Sequence, residues 1–274
     1  MANTNTDRIA FIGGGNMASA IIGGLLKQGL PAAQVAVVEP FAEQRQKLRA
    51  QFGVAAEEKP GATLASCSLV VWAVKPQTFK DAAAQAKAHV QQALHLSVAA
   101  GIRSDSIAKW LGTERIVRSM PNTPALVGKG MTALFARSAA TAADKARVEQ
   151  VIATTGESLW VQSEAQLDAV TALSGSGPAY VFYFLEAMTQ AGTELGLAPE
   201  QARRLAVGTF AGASELARAS QDPLETLRER VTSKGGTTYA ALTSMESDGV
   251  KAEFVKAMHA ACKRAEELGN EFGS

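Results

Sequence analysis

Residues 8–20 read R-I-A-F-I-G-G-G-N-M-A-S-A: an apolar run, then Gly13-x-Gly15-x-x-Ala18, then apolar residues at helical spacing. Each small residue has a physical reason at its position. Gly13 permits a tight turn off the strand, and Gly15 lets backbone approach a pyrophosphate. Ala18 lets the helix press on the sheet while its N-terminus faces the phosphates. A bare glycine pattern is weak evidence, but one set in a complete strand–turn–helix unit points to dinucleotide binding.

Outward from this unit, short strand-like runs alternate with amphipathic stretches. Strands are expected at Arg8–Ile12, Val35–Val38, Leu69–Val74, Leu94–Ala99 and Arg115–Arg118, with helices at Ala18–Gln28 and Ala42–Gln51. That alternation predicts a mostly parallel, doubly wound Rossmann-type sheet with crossover helices. Strands at Gly130–Ala136 and Leu159–Gln162, flanking a helix around Ala142–Thr154, complete an α/β domain over residues 1–162. After Ser163 the strand signal stops. The remainder is Ala-rich with 3.6-residue periodicity, punctuated at Gly175–Pro178, Gly196–Pro199, Asp222-Pro223 and Gly235-Gly236, so residues 163–274 are expected to form an all-helical domain. Small residues such as Ala206, Gly208, Ala211, Gly212 and Ala213 allow close helix packing. Ala-rich helical domains of this size often cover their apolar faces with a second copy, so a homodimer or an assembly of dimers is expected.

Composition narrows the partners. The chain has 274 residues, 47% of them hydrophobic, and a net charge of +1 with no basic block beyond Arg203-Arg204. Neither nucleic acid nor an anionic membrane is indicated, which leaves a small-molecule substrate. Met1–Asp7 is polar without an apolar signal core, and no apolar run approaches the ~18 residues of a membrane span. A soluble, cytoplasmic protein is expected. Cys67 and Cys262 stand far apart without CxxC spacing, and His89, His95 and His259 form no ligand pattern, so reduced thiols and no metal are expected.

A second informative stretch is R-V-T-S-K-G-G-T-T-Y-A-A-L-T-S-M-E, from Arg230 to Glu246. Val231, Tyr239, Leu242 and Met245 keep helical spacing on both sides of Ser233–Thr238, although each interior glycine costs about 1 kcal/mol relative to alanine. A helix restarting at Gly235 presents the N–H groups of Gly236, Thr237 and Thr238, backed by the helix dipole, as a seat for a carboxylate or phosphate. The alternative is a helix–turn–helix corner with Ser233 or Thr237 as N-cap.

Three strand ends complete the candidate site, because ligands of open α/β sheets sit at the carboxyl ends of strands. Glu39 can accept from adenosine ribose hydroxyls and repel a 2′-phosphate, which favours NADH over NADPH. Arg45 or Lys47 can offset that repulsion, and Glu39 can also be a plain strand-end charge, so the choice of cofactor stays open. Ala73-Val74-Lys75-Pro76 and Ser119–Pro124 are expected to line the crevice, although their prolines also stiffen turns. Ser174–Pro178 is either a nicotinamide-side loop or a capped helix break.

Taken together, G-G-G-N-M-A, A-V-K-P, M-P-N-T-P, A-V-T-A-L-S-G-S-G-P-A-Y (Ala169–Tyr180) and V-T-S-K-G-G-T-T (from Val231) run end to end along the chain. In this order they resemble the pyrroline-5-carboxylate reductase family, the last enzymes of proline synthesis. The resemblance implies reduction of 1-pyrroline-5-carboxylate to L-proline by hydride transfer from NADPH or NADH. It implies that Gly13, Gly15, Asn16, Met17, Ala18, Ala73, Val74, Lys75 and Pro76 hold the cofactor. It also implies that Ser233, Gly235, Gly236 and Thr237 take the substrate carboxylate, and that Thr238 lies beside the ring nitrogen as the catalytic group. Family members commonly carry Pro where Lys234 stands, and Lys234 is left outside the catalytic set.

The chemistry suits this composition. Reducing a carbonyl develops charge on oxygen and calls for a strong acid such as His or Lys, of which no constellation is evident. A protonated cyclic imine is already the electrophile and asks mainly for positioning, dehydration and a hydroxyl to orient a proton. Two other readings compete. The β-hydroxyacid dehydrogenases resemble this chain in layout but carry a catalytic Lys four residues after the second glycine of a later G-x-G motif; counting from Gly177, this chain has Val181. A non-catalytic dinucleotide-binding redox sensor would leave the Ser233–Thr238 break without a purpose.

Overall fold

Ile9, Ala10, Phe11 and Ile12 are all buried, as a central strand covered on both faces requires. In the computed structural model, which describes residues 8–273, they form β1 (Arg8–Ile12), followed by α1 (Asn16–Lys27), β2 (Val35–Val38), α2 (Ala42–Phe52) and β3 (Ala56–Glu57). Next come β4 (Cys67–Trp72), α3 (Pro76–Ala86), β5 (Leu94–Ser97), α4 (Ser104–Leu111) and β6 (Ile116–Met120). The sheet closes with β7 (Gly130–Ala136), α5 (Ala142–Ile152) and β8 (Gly156–Trp160). The polar lead at residues 1–7 lies outside the described residues.

The eight strands lie in the order β3-β2-β1-β4-β5-β6-β7-β8. Neighbours are parallel except β6 and β7. Strand order reverses between β1 and β4, so the crevice for a ligand opens at their carboxyl ends. Alternate residues of β1 feed opposite faces. Ile9 and Phe11 pack with Ile21, Ile22 and Val37, whereas Ala10 and Ile12 pack with Trp72, Phe79 and Ile107.

Some limits differ from those expected. β4 ends at Trp72, short of Val74, because Lys75 caps α3 and Pro76 opens it; a Pro-led helix needs an extended residue before it. β8 runs from Gly156 to Trp160, earlier than Leu159–Gln162. β3, two residues long, carries no periodic signal.

After β8 every described element is helical: α6 (Gln166–Val170), a π-helical turn at Thr171–Gly175, α7 (Gly177–Glu194), α8 (Pro199–Ala219), α9 (Leu224–Arg230), α10 (Thr237–Ser247) and α11 (Val250–Glu271). The four expected breaks all mark helix starts. A fifth, between α10 and α11, is made by Gly249 at φ +69°. The fold is a Rossmann-type α/β region followed by an all-α region.

The compact units do not divide at residue 163. The chain up to Ser176, together with the segment from Ala261, forms one, and Gly177–Ala260 the other. Ion pairs explain the difference. Arg118 reaches Glu164 at 2.5 Å and Arg103 reaches Asp168 at 2.8 Å, while Ser104 N and Oγ donate to Glu164 at 2.5 and 2.6 Å. At the chain's end, Ser106 Oγ donates to Gly273 O at 2.8 Å. In the second unit, Tyr180 and Phe184 meet the Phe254 ring edge-on at 5.7 and 5.6 Å. Among the described residues no helix is long and apolar enough to cross a membrane. Cys67 and Cys262 are free thiols.

Candidate active site

The turn after β1 is wedged between the ends of its two neighbours. Gly13 sits at φ +96°, and a Cβ there would lie 2.5 Å from Ala73 O. Its N–H donates to Val38 O at 2.8 Å, and Ala73 N donates to Ile12 O at 2.8 Å. No other residue type fits both that backbone region and that closeness. Gly15 differs: it is the N-cap of α1, and a Cβ there would meet nothing within 4 Å. No side chain caps α1, which leaves the first-turn amides of Asn16, Met17 and Ala18 open, with the positive end of the dipole behind them. Open space over Gly15 and unpaired donors beside it fit the pyrophosphate of a dinucleotide. Of the 73–76 loop, Ala73 and Val74 touch the Gly13 position, and Lys75 and Pro76 start α3.

Glu39 does something the sequence did not suggest. It is 6% exposed; Oε2 accepts from Gly14 N at 2.8 Å and Oε1 from Phe41 N at 2.9 Å. The carboxylate is turned beneath the glycine turn. Gln44 Nε2, on α2, holds the following peptide, on the other side of the same residue, by donating to Gly14 O at 2.5 Å. Neither Gly14 nor Gln44 was expected to matter, since no local pattern reveals a side chain reaching across 30 residues. The cations expected to offset Glu39 are occupied: Arg45 donates to Glu39 O and Pro40 O at 2.9 and 2.7 Å, and Lys47 pairs with Glu43 at 2.9 Å.

The M-P-N-T-P and S-G-S-G-P segments are joined by one side chain. Asn122 Oδ1 accepts from Met131 N at 2.9 Å, and its Nδ2 donates to Ser174 O at 3.0 Å, inside the π-helical turn. Such turns recur at functional positions in helices. His95 lies in the core, away from this chemistry. Trp72 Nε1 donates to its Nδ1 at 3.0 Å, and burial first, with a contribution from Arg115, lowers its pKa to about 4.

In the second unit, α9 stops at Arg230, whose guanidinium pairs with Asp222 at 2.5 Å. The chain then turns through Ser233, Lys234 and Gly235, the last at φ +73°. The helix restarts at Thr237, two residues later than expected, with Gly236 as N-cap and no side-chain cap. Gly236 N is taken by Ser233 O at 3.0 Å, closing the turn. The open first-turn donors are therefore Thr237, Thr238 and Tyr239, displaced by one residue from the expected set. A Cβ on Gly236 would lie 2.5 Å from Ser233 Oγ and 3.2 Å from Ser233 O, so a larger residue there has to turn the Ser233 hydroxyl aside. Thr232 donates its hydroxyl back to Arg228 O at 2.6 Å. Thr238, in the first turn, has no helical carbonyl four residues behind it, and its half-buried side chain is free of such a bond.

Comparison with known proteins agrees along the whole chain. A family model for pyrroline-5-carboxylate reductase dimerisation matches residues 164–268, and one for NADP oxidoreductase, coenzyme F420-dependent, matches residues 8–101. The pyrroline-5-carboxylate reductase of Pseudomonas aeruginosa is 45% identical over 271 residues, covering 98% of this chain and 99% of its own length. Among solved structures, that of Coxiella burnetii pyrroline-5-carboxylate reductase is similar with a TM-score of 0.89 and 38% identity, over 96% of this chain and 99% of the other. Plasmodium falciparum pyrroline carboxylate reductase, with NADP bound, is similar with a TM-score of 0.86 and 28% identity, over 96% and 98%.

Proposed function

The chain belongs to the pyrroline-5-carboxylate reductase family, and from that premise we propose that it reduces 1-pyrroline-5-carboxylate to L-proline with NADPH or NADH, the last step of proline biosynthesis. The observation that carries this reading is a pair of α-helix starts with a glycine N-cap and no side-chain cap, α1 at Gly15 and α10 at Gly236. One suits the pyrophosphate of a dinucleotide and the other a small carboxylate.

The bound cofactor supplies the hydride. Gly13, Gly15, Asn16, Met17 and Ala18 hold its pyrophosphate, and Ala73, Val74, Lys75 and Pro76 form the opposite rim of the crevice. Ser233, Gly235 and Gly236 shape the turn that aims the amides of Thr237 and Thr238 at the substrate carboxylate. With its ring nitrogen protonated, the imine needs no strong acid, because hydride arrival at carbon discharges the nitrogen. The protein's task is then to orient the ring and exclude water. Thr238, whose hydroxyl lies beside the carboxylate seat along the chain, keeps the proton on the ring nitrogen. Lys234 is exposed and stands outside this set.

The enzyme acts in the cytoplasm as a homodimer or an assembly of dimers. Supporting this are the dimerisation model matched by residues 164–268 and the exposed Phe182, Tyr183, Leu205 and Leu216 of α7 and α8.

The test is the absorbance of reduced nicotinamide on adding pyrroline-5-carboxylate. The wild-type protein should consume it, and absence of oxidation with either cofactor would defeat the reading. Thr238→Ala should lower kcat about a hundredfold, the lower range for a positioned proton-handling group, with cofactor KM within about twofold. Unchanged turnover removes Thr238 from the mechanism.

A further inference from the structure

Glu39 stands where a Rossmann-type fold presents an acid to the adenosine ribose, yet its two oxygens are engaged elsewhere. Oε2 takes the Gly14 N–H and Oε1 the Phe41 N–H, and 6% of the residue is exposed. Gly14 is held on its other edge by Gln44, and a Cβ at Gly14 would lie 2.7 Å from Leu48 Cδ1. The two peptide units that meet at Gly14 are thus each fixed, one by Glu39 at the end of β2 and the other by Gln44 of α2, and Gly14 is packed against α2. With Gly14 held at both its N–H and its carbonyl, the next residue, Gly15, faces open space.

The geometry points to Glu39 as a positioning residue for the cofactor: its carboxylate braces the phosphate-binding turn against the loop at Phe41, and does not select between NADH and NADPH. The inference rests on the reading of Gly13–Ala18 as the dinucleotide cradle. Two charge-assisted bonds to backbone amides set the orientation of the turn. Both cofactors share the pyrophosphate and lean on that turn equally. A carboxylate facing the ribose would act differently, because its charge would oppose the 2′-phosphate of NADPH alone.

The experiment is titration of NADPH and of NADH into the full-length wild-type protein and Glu39→Gln, followed by nicotinamide fluorescence, with steady-state kinetics alongside. An amide at position 39 presents an NH2 to one of the two N–H donors, so one bond is lost and replaced by a repulsive contact. Both dissociation constants should rise by a similar factor, about tenfold, for loss of a charge-assisted bond. The ratio between the cofactors should stay within about twofold, and kcat should change less than cofactor KM. If Glu39→Gln folds poorly, Gln44→Ala releases the carbonyl on the other side of Gly14 and should weaken both cofactors in parallel, by less. A relative gain for NADPH of about tenfold or more in Glu39→Gln would overturn the inference in favour of charge discrimination. Unchanged affinity for both cofactors in either variant would overturn it too. Wild-type protein that binds neither dinucleotide would overturn the cradle reading itself, a distinct result.

Discussion

Trp72, Phe79 and Ile107 in the first unit are wholly buried, whereas the fully buried apolar residues of Gly177–Ala260 are Ala202 and Ala206. In that second unit Leu195 is 85% exposed, Leu216 70% and Leu205 58%. A sheet covered on both faces carries its own core, and Glu39 and Gln44 lock its glycine turn from within. Helices with their apolar faces in water draw little stability from propensity alone and need those faces covered. The first unit should therefore be self-sufficient, and the second should depend on assembly.

The largest effect expected from this contrast is at Leu205. In a lone chain, Leu205→Asp alters an exposed position and should cost within about 0.5 kcal/mol; if a second copy covers α8, it should cost about 3 kcal/mol, as at an interface hot spot. Sedimentation should show the variant dissociating, with turnover lost and NADPH binding largely kept. Leu159→Asp, on β8 of the first unit and also exposed at 45%, should leave the assembly intact. A Leu205→Asp enzyme that stays associated and active breaks the contrast.

Acid should act on the first unit. In the folded chain, burial of His95 holds its pKa at about 4 against 6.5. Below pH 6.5 the unfolded chain takes up a proton that the folded one refuses. Stability is then full above pH 6.5 and falls by roughly 3 kcal/mol as pH drops towards 4. Asp144, which Arg115 first of all holds at about pKa 2 against 3.8, adds a further loss between those values. Trp72, Trp110 and Trp160 all lie in the first unit, so denaturant titrations read by tryptophan emission at several pH values report on it directly. His95→Gln, which keeps an acceptor for Trp72, should flatten the dependence between pH 6.5 and 4, and a wild-type protein equally stable across that range would contradict the assignment.

The same contrast decides what could be read from sequence. β1, β2 and β7 begin and end where expected, because their apolar runs are bounded by turn residues. The helix starts at Gly177, Pro199, Leu224 and Thr237 follow Gly and Pro breaks for the same reason. What escaped were contacts between residues distant along the chain. Nothing in hydrophobic periodicity indicates that Glu164 meets Arg118, that Asp168 meets Arg103, or that residues 163–176 therefore belong with the sheet. Glu39 was legible as an acid at a strand end, but its partners Gly14 and Phe41 were not. In the second unit the helix restart was visible in the two glycines, yet its open first-turn donors lie one residue further on, because Ser233 O claims the Gly236 N–H.

In the proposed reaction α10's first turn binds the imine's carboxylate while the glycine turn after β1 independently binds the dinucleotide. Steady-state kinetics of Gly236→Ala separate the two. The added Cβ would sit 2.5 Å from Ser233 Oγ and 3.2 Å from Ser233 O, so the hydroxyl must swing aside and the carbonyl that closes the turn must give way slightly. The KM for pyrroline-5-carboxylate should then rise about tenfold, the loss of a hydrogen bond or so to a charged group, with cofactor KM within about twofold. An unchanged KM for the imine, or a rise confined to the cofactor, would contradict it.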